Sequence, residues 1–196
     1  MITFELHLTT NALNLNQIKE FEMFCDTIQA KPIIIQLPEG QFQQQPMISK
    51  IIKAPTEKSL LKIVELLKNQ FLGNGFEVKR TKIEVPIWEK AQIINFFNNQ
   101  SCQYYEWHGK IQIEKAKLIQ NIIQKYNGKL SRNSLKKDIH SKFITLRDYS
   151  DSEINIVENI NKLKIELLKN GIFLMKEELE FCIFDSNELL DKDWLL

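Results

Sequence analysis

The chain of 196 residues is poor in the residues that build small cross-linked or loop-rich proteins, with three cysteines, five prolines and six glycines. Cys25, Cys102 and Cys182 lie far apart and never in a C-x-x-C spacing, which argues against a disulfide framework and a thiolate zinc site. Neither a Walker loop nor a G-x-G-x-x-G pattern is present, so a glycine-rich phosphate loop is not expected. Isolated cysteines are typical of a reducing compartment, and we therefore expect a cytoplasmic protein.

The chain also lacks an excess of one charge, since 26 Lys and Arg face 25 Asp and Glu and the formal net charge is +1. This balance excludes the strongly basic footprint of sequence-independent nucleic-acid binding, but it is compatible with a local basic cleft. No apolar run approaches the ~18 residues that span a bilayer. The first residues form an alternating strand pattern, not a signal peptide, so no membrane partner is expected. The oligomeric state is left open.

Hydrophobic residues make up 43% of the chain, enough for the core of one large or two small domains. Alternating and helical spacings predict the order β-α-β-β-α-β twice. In the first half the predicted strands cover residues 2–9, 33–37, 47–52 and 76–86, and the helices 14–30 and 56–74. In the second half the strands cover residues 103–113, 130–135, 142–149 and 172–185, and the helices 116–126 and 151–170.

Sequence landmarks repeat together with the elements. Glu5-Leu6-His7 corresponds to Glu106-Trp107-His108, and each half has Leu-Leu-Lys-Asn shortly before a glycine. The pattern predicts an α+β protein made by tandem duplication of a ferredoxin-like βαββαβ unit, with antiparallel sheets and helices on one face. The predicted organisation is a first repeat over residues 1–86, a linker over 87–103, a second repeat over 104–185 and a C-terminal tail over 186–196.

Strand alternation places chemically active side chains on the face of each predicted sheet that the helices do not cover. Two such units side by side, or closed into one barrel, would line a cleft with these residues. Ser131-Arg132 adds donors that suit a phosphate. The predicted ligand-binding residues are Thr9, Arg80, Lys82, Glu84, Lys110, Arg132, Thr145, Arg147 and Glu180, with Glu178 on the same face.

The two histidines His7 and His108 are the predicted catalytic centre, because imidazole is the usual acid–base group near neutral pH. Each follows a glutamate by two residues, Glu5 and Glu106, so that each pair emerges from one strand face. A neighbouring carboxylate holds the tautomer of a histidine and raises its basicity. The same pattern is also typical of a structural histidine bonded to its glutamate, and both interpretations stay open.

His7-Leu8-Thr9 matches the H-x-[ST] motif of the 2H phosphoesterases, the 2′-5′ RNA ligase-like family, which the predicted pair of units resembles. At the second position, His108-Gly109-Lys110 has lysine where that family has a hydroxyl. The resemblance implies a hydrolase in which two histidines cleave a phosphodiester. The phosphate would then be held by Arg80, Lys110, Arg132 and Arg147.

A second resemblance is to the triphosphate tunnel fold, an eight-stranded barrel lined with Glu, Lys and Arg. The residue types that line such a barrel are present here as Arg80, Lys82, Glu84, Lys110, Arg132, Arg147, Glu178 and Glu180. The E-x-E-x-K signature of that fold is absent, and Glu5-Leu6-His7-Leu8-Thr9 stands in its place with only the first glutamate kept. This resemblance implies polyphosphate binding.

Three functions therefore stay open from the sequence: a phosphoesterase or nucleotide-processing enzyme, a non-catalytic ligand- or protein-binding module, and a polyphosphate-binding protein. The first requires no cofactor. A divalent metal is compatible, because Glu5, His7 and Glu84, and likewise Glu106, His108 and Glu180, offer the mixed ligands that suit Mn²⁺, Fe²⁺ or Zn²⁺.

Overall fold

The computed structural model describes residues 1–93, 96, 103–112, 116–135, 140–150 and 152–195. The strands are β1 (Ile2–Thr10), β2 (Lys31–Gln36), β3 (Gln44–Ala54), β4 (Val78–Pro86), β5 (Tyr104–Gln112), β6 (Lys129–Asn133), β7 (Ser141–Asp148) and β8 (Leu174–Asp185). The helices are α1 (Leu15–Thr27), α2 (Glu57–Gly73), α3 (Lys90–Ile93), α4 (Ala116–Gln124) and α5 (Glu153–Lys169). Cys102, part of the predicted linker and the predicted end of β5 at residue 113 lie outside the described residues.

All eight strands form one closed antiparallel barrel in the order β1-β3-β2-β6-β7-β5-β8-β4. The prediction of two ferredoxin-like sheets, each with helices on one face, is therefore wrong, and so is the description as a ferredoxin-like internal duplication. The physical reason lies at the sheet edges. A four-stranded sheet leaves two edge strands with unpaired N–H and C=O groups, and here the edges of one half pair with those of the other.

Two seams of unequal length close the barrel. The seam between β4 and β8 joins five residue pairs, from Lys82 opposite Asp185 to Pro86 opposite Glu180. The seam between β2 and β6 joins only two, Ile35 with Asn133 and Gln36 with Arg132. Sequence alternation cannot reveal either seam, because it specifies the faces of a strand and not its neighbours.

The hydrophobic core lies outside the barrel wall, between the strands and the helices. Alternate residues of β1, such as Phe4 and Leu6, are fully buried in one cluster with residues from α1 and α2. In that cluster the ring of Phe71 makes edge contacts with the rings of Phe21 and Phe24, at centroid distances of 6.2 and 5.0 Å. Because the helices cover the outer faces of the strands, the polar faces point into the lumen.

Local sequence explains where the two helices of the first half begin. Asn14 caps α1 in a reciprocal capping box with Gln17, and Thr56 caps α2 in the same way with Ser59. Such side chains satisfy N–H groups that have no partner inside the helix. None of the helices in the described part of the chain combines the length and apolar character needed to cross a membrane.

The C-terminal segment folds back onto the barrel instead of leaving it. After β8, a 3₁₀ turn over Glu188–Asp191 leads to Trp194, which is buried and borders the lumen. Gly40, at φ +96°, allows the β2–β3 connection to approach this segment, because a Cβ there would lie 3.0 Å from the Lys192 carbonyl oxygen. We call residues 187–195 the tail.

Candidate functional site

The lumen contains a cavity of ≈ 200 Å³ that the two Glu-x-His pairs share. Glu5 and His7 reach it from β1, and Glu106 and His108 from β5. Each pair projects inward because side chains at positions i and i+2 of a strand share one face. The other predicted residues that line this cavity are Thr9, Arg80, Lys82, Glu84, Thr145, Arg147, Glu178 and Glu180.

His7 is held by a carboxylate of the neighbouring strand. Its Nε2 lies 3.1 Å from Glu84 Oε2 and 3.6 Å from Glu5 Oε1. Glu5 instead accepts a hydrogen bond of 2.6 Å from the Ser49 hydroxyl. Because Nε2 faces a carboxylate, this contact favours the neutral tautomer in which Nε2 carries the proton and Nδ1 has the lone pair. This Nδ1 is buried and has no hydrogen-bond partner among the described residues.

His108 is held by the glutamate of its own strand. Its Nε2 lies 3.0 Å from Glu106 Oε1, and its Nδ1 lies 3.1 Å from the Thr145 hydroxyl oxygen. Glu106 is the glutamate that the E-x-H pattern places beside this histidine, whereas at His7 the nearer carboxylate is Glu84 of the neighbouring strand. His108 is also the more accessible of the two rings, with a side chain 32% exposed against 14% for His7.

Lys82 connects the two histidine environments. Its Nζ lies 2.7 Å from Glu84 Oε1 and 2.7 Å from Glu106 Oε1, and all three side chains are buried. Burial alone would raise the pKa of Glu84, but Lys82 and the hydrogen bond from His7 lower it to about 2. Burial likewise opposes the ionisation of Glu106, whose pKa is held well below its usual value by Arg147 and Lys82. Both carboxylates are therefore ionised at neutral pH.

Two arginines lie side by side at the end of the lumen that the tail covers. Arg80 makes a two-pronged pair with Asp185, through Nε at 2.9 Å and Nη2 at 2.5 Å, and Arg147 Nε donates to Glu106 Oε2 at 2.7 Å. The Arg147 guanidinium also lies over the Tyr104 ring, 4.2 Å from its centroid. A single oxygen of Asp191 in the tail, Oδ2, pairs with both arginines: it accepts a hydrogen bond of 2.7 Å from Arg147 Nη2 and lies 3.0 Å from Arg80 Nη1 in an ion pair.

Glu180 lines the cavity but pairs with no cationic side chain among the residues that the structure describes. Burial, followed by the charges of Glu84 and Glu5, raises its pKa to about 10. The carboxyl group therefore holds a proton at neutral pH and can donate a hydrogen bond. A buried acid with this shift indicates a lumen region where an added cation or hydrogen-bond acceptor would be stabilised.

Part of the cavity lining is apolar, and we call this part the apolar wall, although Lys31, Gln45, Ser131 and Asn133 also line the cavity nearby. Ile33 and Ile35 of β2, Met47 of β3 and Phe143 of β7 line it and are only partly buried. Sequence reasoning missed this wall, although the period-two pattern of β2 contained the signal, because an alternate isoleucine in a very apolar strand looks like ordinary core. Apolar side chains that face a polar lumen leave a surface for an apolar part of a ligand.

Two of the predicted binding residues do not line the lumen cavity. Lys110 follows His108 on β5 and lies beyond the cavity, whereas Arg132 borders a separate cavity of ≈ 310 Å³ between α4, β6 and the β2–β3 connection. Arg132 is exposed and points outward because its neighbours Ser131 and Asn133 take the inward positions. The sequence does not show which side chains of β6 point into the lumen, because this strand of five mostly polar residues has no clear alternation of polar and apolar positions.

The proposed metal ligands are engaged with one another and with cations. Glu106 is committed to Lys82, Arg147 and His108, and His7 to Glu84. Within the described ranges, no group of three or more His, Cys, Asp or Glu side chains is arranged to hold a metal ion.

A comparison with protein-family models finds no family that matches the chain, and a comparison with curated proteins finds no similar sequence.

Proposed function

We propose that the lumen binds a phosphate ester of an apolar or aromatic group, the nucleotide class, and that His7 and His108 transfer protons during its hydrolysis. The observation that carries the proposal is the cavity itself. It brings two carboxylate-held histidines, two arginines and an apolar wall together in about 200 Å³. No one of these features would suffice, because paired arginines and structural histidines also occur in protein cores.

The arginine end of the cavity supports phosphate binding. Arg80 and Arg147 are buried, and each presents a planar guanidinium that can donate to two phosphate oxygens at once. A site this enclosed strengthens such pairing, because little water competes for the charge. The apolar wall of Ile33, Ile35, Met47 and Phe143 would accept the base or another apolar group of the ester.

The histidines support proton transfer. In hydrolysis, water attacks phosphorus, its proton goes to a base, and an acid delivers a proton to the oxygen that leaves. His7 Nδ1 has the free lone pair of a base, and Glu84 would stabilise the imidazolium that forms. His108, the more exposed ring, would supply the second proton while Glu106 holds its orientation. Such acid–base groups contribute about 10²–10⁴-fold to rate.

A non-catalytic binding role is the second candidate. It is supported by the pairing of Arg80, Lys82 and Arg147 with carboxylates in the described structure, which a stable polar core would also have. Polyphosphate, implied by the resemblance to the triphosphate tunnel fold, would use the arginines and leave the apolar wall unused. The resemblance to 2H phosphoesterases stays a prediction.

The test is turnover and binding on a panel of nucleoside mono-, di- and triphosphates, cyclic nucleotides, pyrophosphate and tripolyphosphate. His7→Gln and His108→Gln should lower turnover by about 10²–10⁴-fold with binding retained, and Arg147→Gln should weaken binding. The matched control is His140→Gln, because His140 is exposed and lines neither cavity. Binding without turnover would favour the second candidate. If the wild type binds no member of the panel, both candidates fail.

We also propose a cytoplasmic location. Cys25 and Cys182 are free and buried, and burial raises the pKa of the Cys25 thiol to about 12. Thiols of this kind are stable in a reducing compartment. Fractionation of the tagged protein would test this, and recovery from an oxidising compartment would contradict it.

A further inference from the structure

Among the described residues, the tail supplies the one carboxylate that pairs with both arginines of the lumen, Arg80 and Arg147. Asp191 Oδ2 forms ion pairs with Arg80 and Arg147, and the other oxygen, Oδ1, accepts a hydrogen bond of 3.3 Å from Gln45 Nε2. The other acceptors of these arginines, Asp185 and Glu106, come from β8 and β5. The barrel wall therefore provides each arginine with its own partner, and the bridging acceptor comes from a terminal segment.

A phosphate group would fill the same position with better geometry. Two guanidinium groups share a single carboxylate oxygen here, whereas a phosphate offers three oxygens and can accept from each guanidinium separately. Arg80 could keep Asp185 and Arg147 could keep Glu106, because only the donors aimed at Asp191 would change partner. The exchange therefore leaves the barrel wall intact.

The tail also restricts the space for a ligand. Asp191, Trp194 and Leu195 line the cavity, whose ≈ 200 Å³ is below the range of about 300–1,000 Å³ for small-molecule sites. Trp194 and Ser131 border both the lumen cavity and the outer cavity of ≈ 310 Å³. Displacement of the tail would thus enlarge the lumen and connect it with the second space.

The tail is held by polar contacts and by two buried apolar side chains. The Asn187 side chain donates to the Lys79 carbonyl, and the Glu188 carboxylate accepts from the Tyr149 hydroxyl. The Leu190 carbonyl accepts from the Gln45 side chain, and Asp191 pairs with the arginines. The apolar anchors are Leu190 and Trp194, and the indole N–H of Trp194 is buried without a hydrogen-bond acceptor in the described chain. An unsatisfied buried donor costs about 1–3 kcal/mol and makes docking less stable.

We propose that Arg80 and Arg147 form an anion subsite that Asp191 occupies in this structure, and that a phosphate group of the lumen ligand replaces Asp191 there. This inference rests on the proposed function and adds its regulation: the tail competes with the ligand. Tight binding then requires the tail to leave.

The experiment measures pyrophosphate binding to the full chain by calorimetry and the rise in melting temperature that pyrophosphate causes. Asp191→Asn keeps the shape of the side chain and removes its charge, so the subsite becomes available. It should bind pyrophosphate at least tenfold tighter than the wild type, and its melting temperature should respond more strongly. Asp193→Asn is the matched control, since Asp193 belongs to the same tail, is exposed, and has φ +63°, which asparagine tolerates. It should bind like the wild type.

Trp194→Ala is the second variant, because Asp191→Asn removes a counter-charge from buried arginines and could impair folding. It weakens tail docking without touching the arginines and should also tighten pyrophosphate binding. If the wild type binds pyrophosphate and neither variant binds more tightly, the inference is overturned while the proposed function stands. If the wild type and both variants fail to bind pyrophosphate, the inference is overturned, and the proposed function then depends on the nucleotides of the panel alone.

Discussion

Glu5 and Glu106 each stand two residues before a histidine that faces the lumen, yet their side chains are 25% and 4% exposed. The carboxylate closest to His7 is that of Glu84 on the neighbouring strand, and Glu5 accepts a hydrogen bond from the Ser49 hydroxyl. Glu106 serves His108, Lys82 and Arg147 at once. The two Glu-x-His motifs therefore have different roles, because the side chains of the neighbouring strands determine which groups each carboxylate contacts.

The largest expected effect separates the two glutamates directly. Glu106→Gln should lower the free energy of unfolding by about 3–5 kcal/mol, because it leaves buried cations without a full counter-charge. Glu5→Gln should cost less than about 1 kcal/mol, since a partly exposed group that accepts one hydroxyl loses little. Urea denaturation of both variants measures the difference. Equal losses would show that exposure does not distinguish the two sites.

The residue after each histidine provides a second contrast. Leu8 packs in the core, but Gly109 is covered by the Trp107 ring, and a Cβ at Gly109 would lie 2.3 Å from it. Gly109→Ala should destabilise the protein by about 1–3 kcal/mol through overpacking. Gly73→Ala is the control, because nothing lies within 4 Å of its Cβ position in α2, and alanine there should be neutral or stabilising. The denaturation midpoint of Gly109→Ala should fall and that of Gly73→Ala should stay or rise. If Gly109→Ala leaves the midpoint unchanged, the close contact between position 109 and the Trp107 ring is contradicted.

Near His7 lies a third glutamate, Glu180, whose negative charge would be opposed by burial and by Glu84 and Glu5. The pKa of Glu180 is raised to about 10, so folding favours its protonated form, and stability falls as pH rises from the unfolded pKa toward 10. Glutamine copies the protonated form, so Glu180→Gln should stabilise the protein at pH 8 by a few kcal/mol, because each pH unit between the unfolded and folded pKa is worth about 1.4 kcal/mol, and it should have little effect near pH 4. Thermal denaturation across this range tests the sign. A loss of stability at pH 8 would indicate that Glu180 is ionised and paired.

The pKa of Glu84, at about 2, gives the opposite dependence. Its contribution is present above the unfolded pKa and is lost as pH falls toward 2. Glu84→Gln should therefore be less stable than the wild type at pH 7, and the two should converge near pH 2.

The smallest expected effect concerns the tautomer of His108. Thr145→Val removes the hydroxyl 3.1 Å from His108 Nδ1 and should cost about 1 kcal/mol or less. The histidine nitrogen spectrum should change for His108 and stay the same for His7. A change at His7 of equal size would mean that the two rings are coupled through Lys82.

Much of this site follows from the sequence, because alternation along a strand determines which side chains share a face. Alternation predicts Glu5, His7, Arg80, Glu106 and Arg147 on the strand faces that the helices leave uncovered, and in the structure these faces line the lumen. Barrel closure could not be predicted in the same way, since it depends on which edges meet. Asp191 and Asp185 were not predicted for a related reason. Asp191 lies on the tail and Asp185 is the last residue of β8, and at such positions the alternation of a strand does not determine on which face a side chain lies.

The short seam between β2 and β6 has a consequence for how the barrel forms and opens. Its two residue pairs join segments about 100 residues apart, as the 99-residue separation of Ile34 and Asn133 illustrates. Contacts so distant in sequence form slowly, because loop-closure entropy opposes them until much of the chain is in place. The long seam joins residues at a similar separation, so the number of residue pairs distinguishes the two seams, and we expect the long seam to close first and the short seam last. In the native protein the amide hydrogens of the short seam should then exchange with solvent well before those of β4 and β8, which hydrogen-exchange rates would reveal.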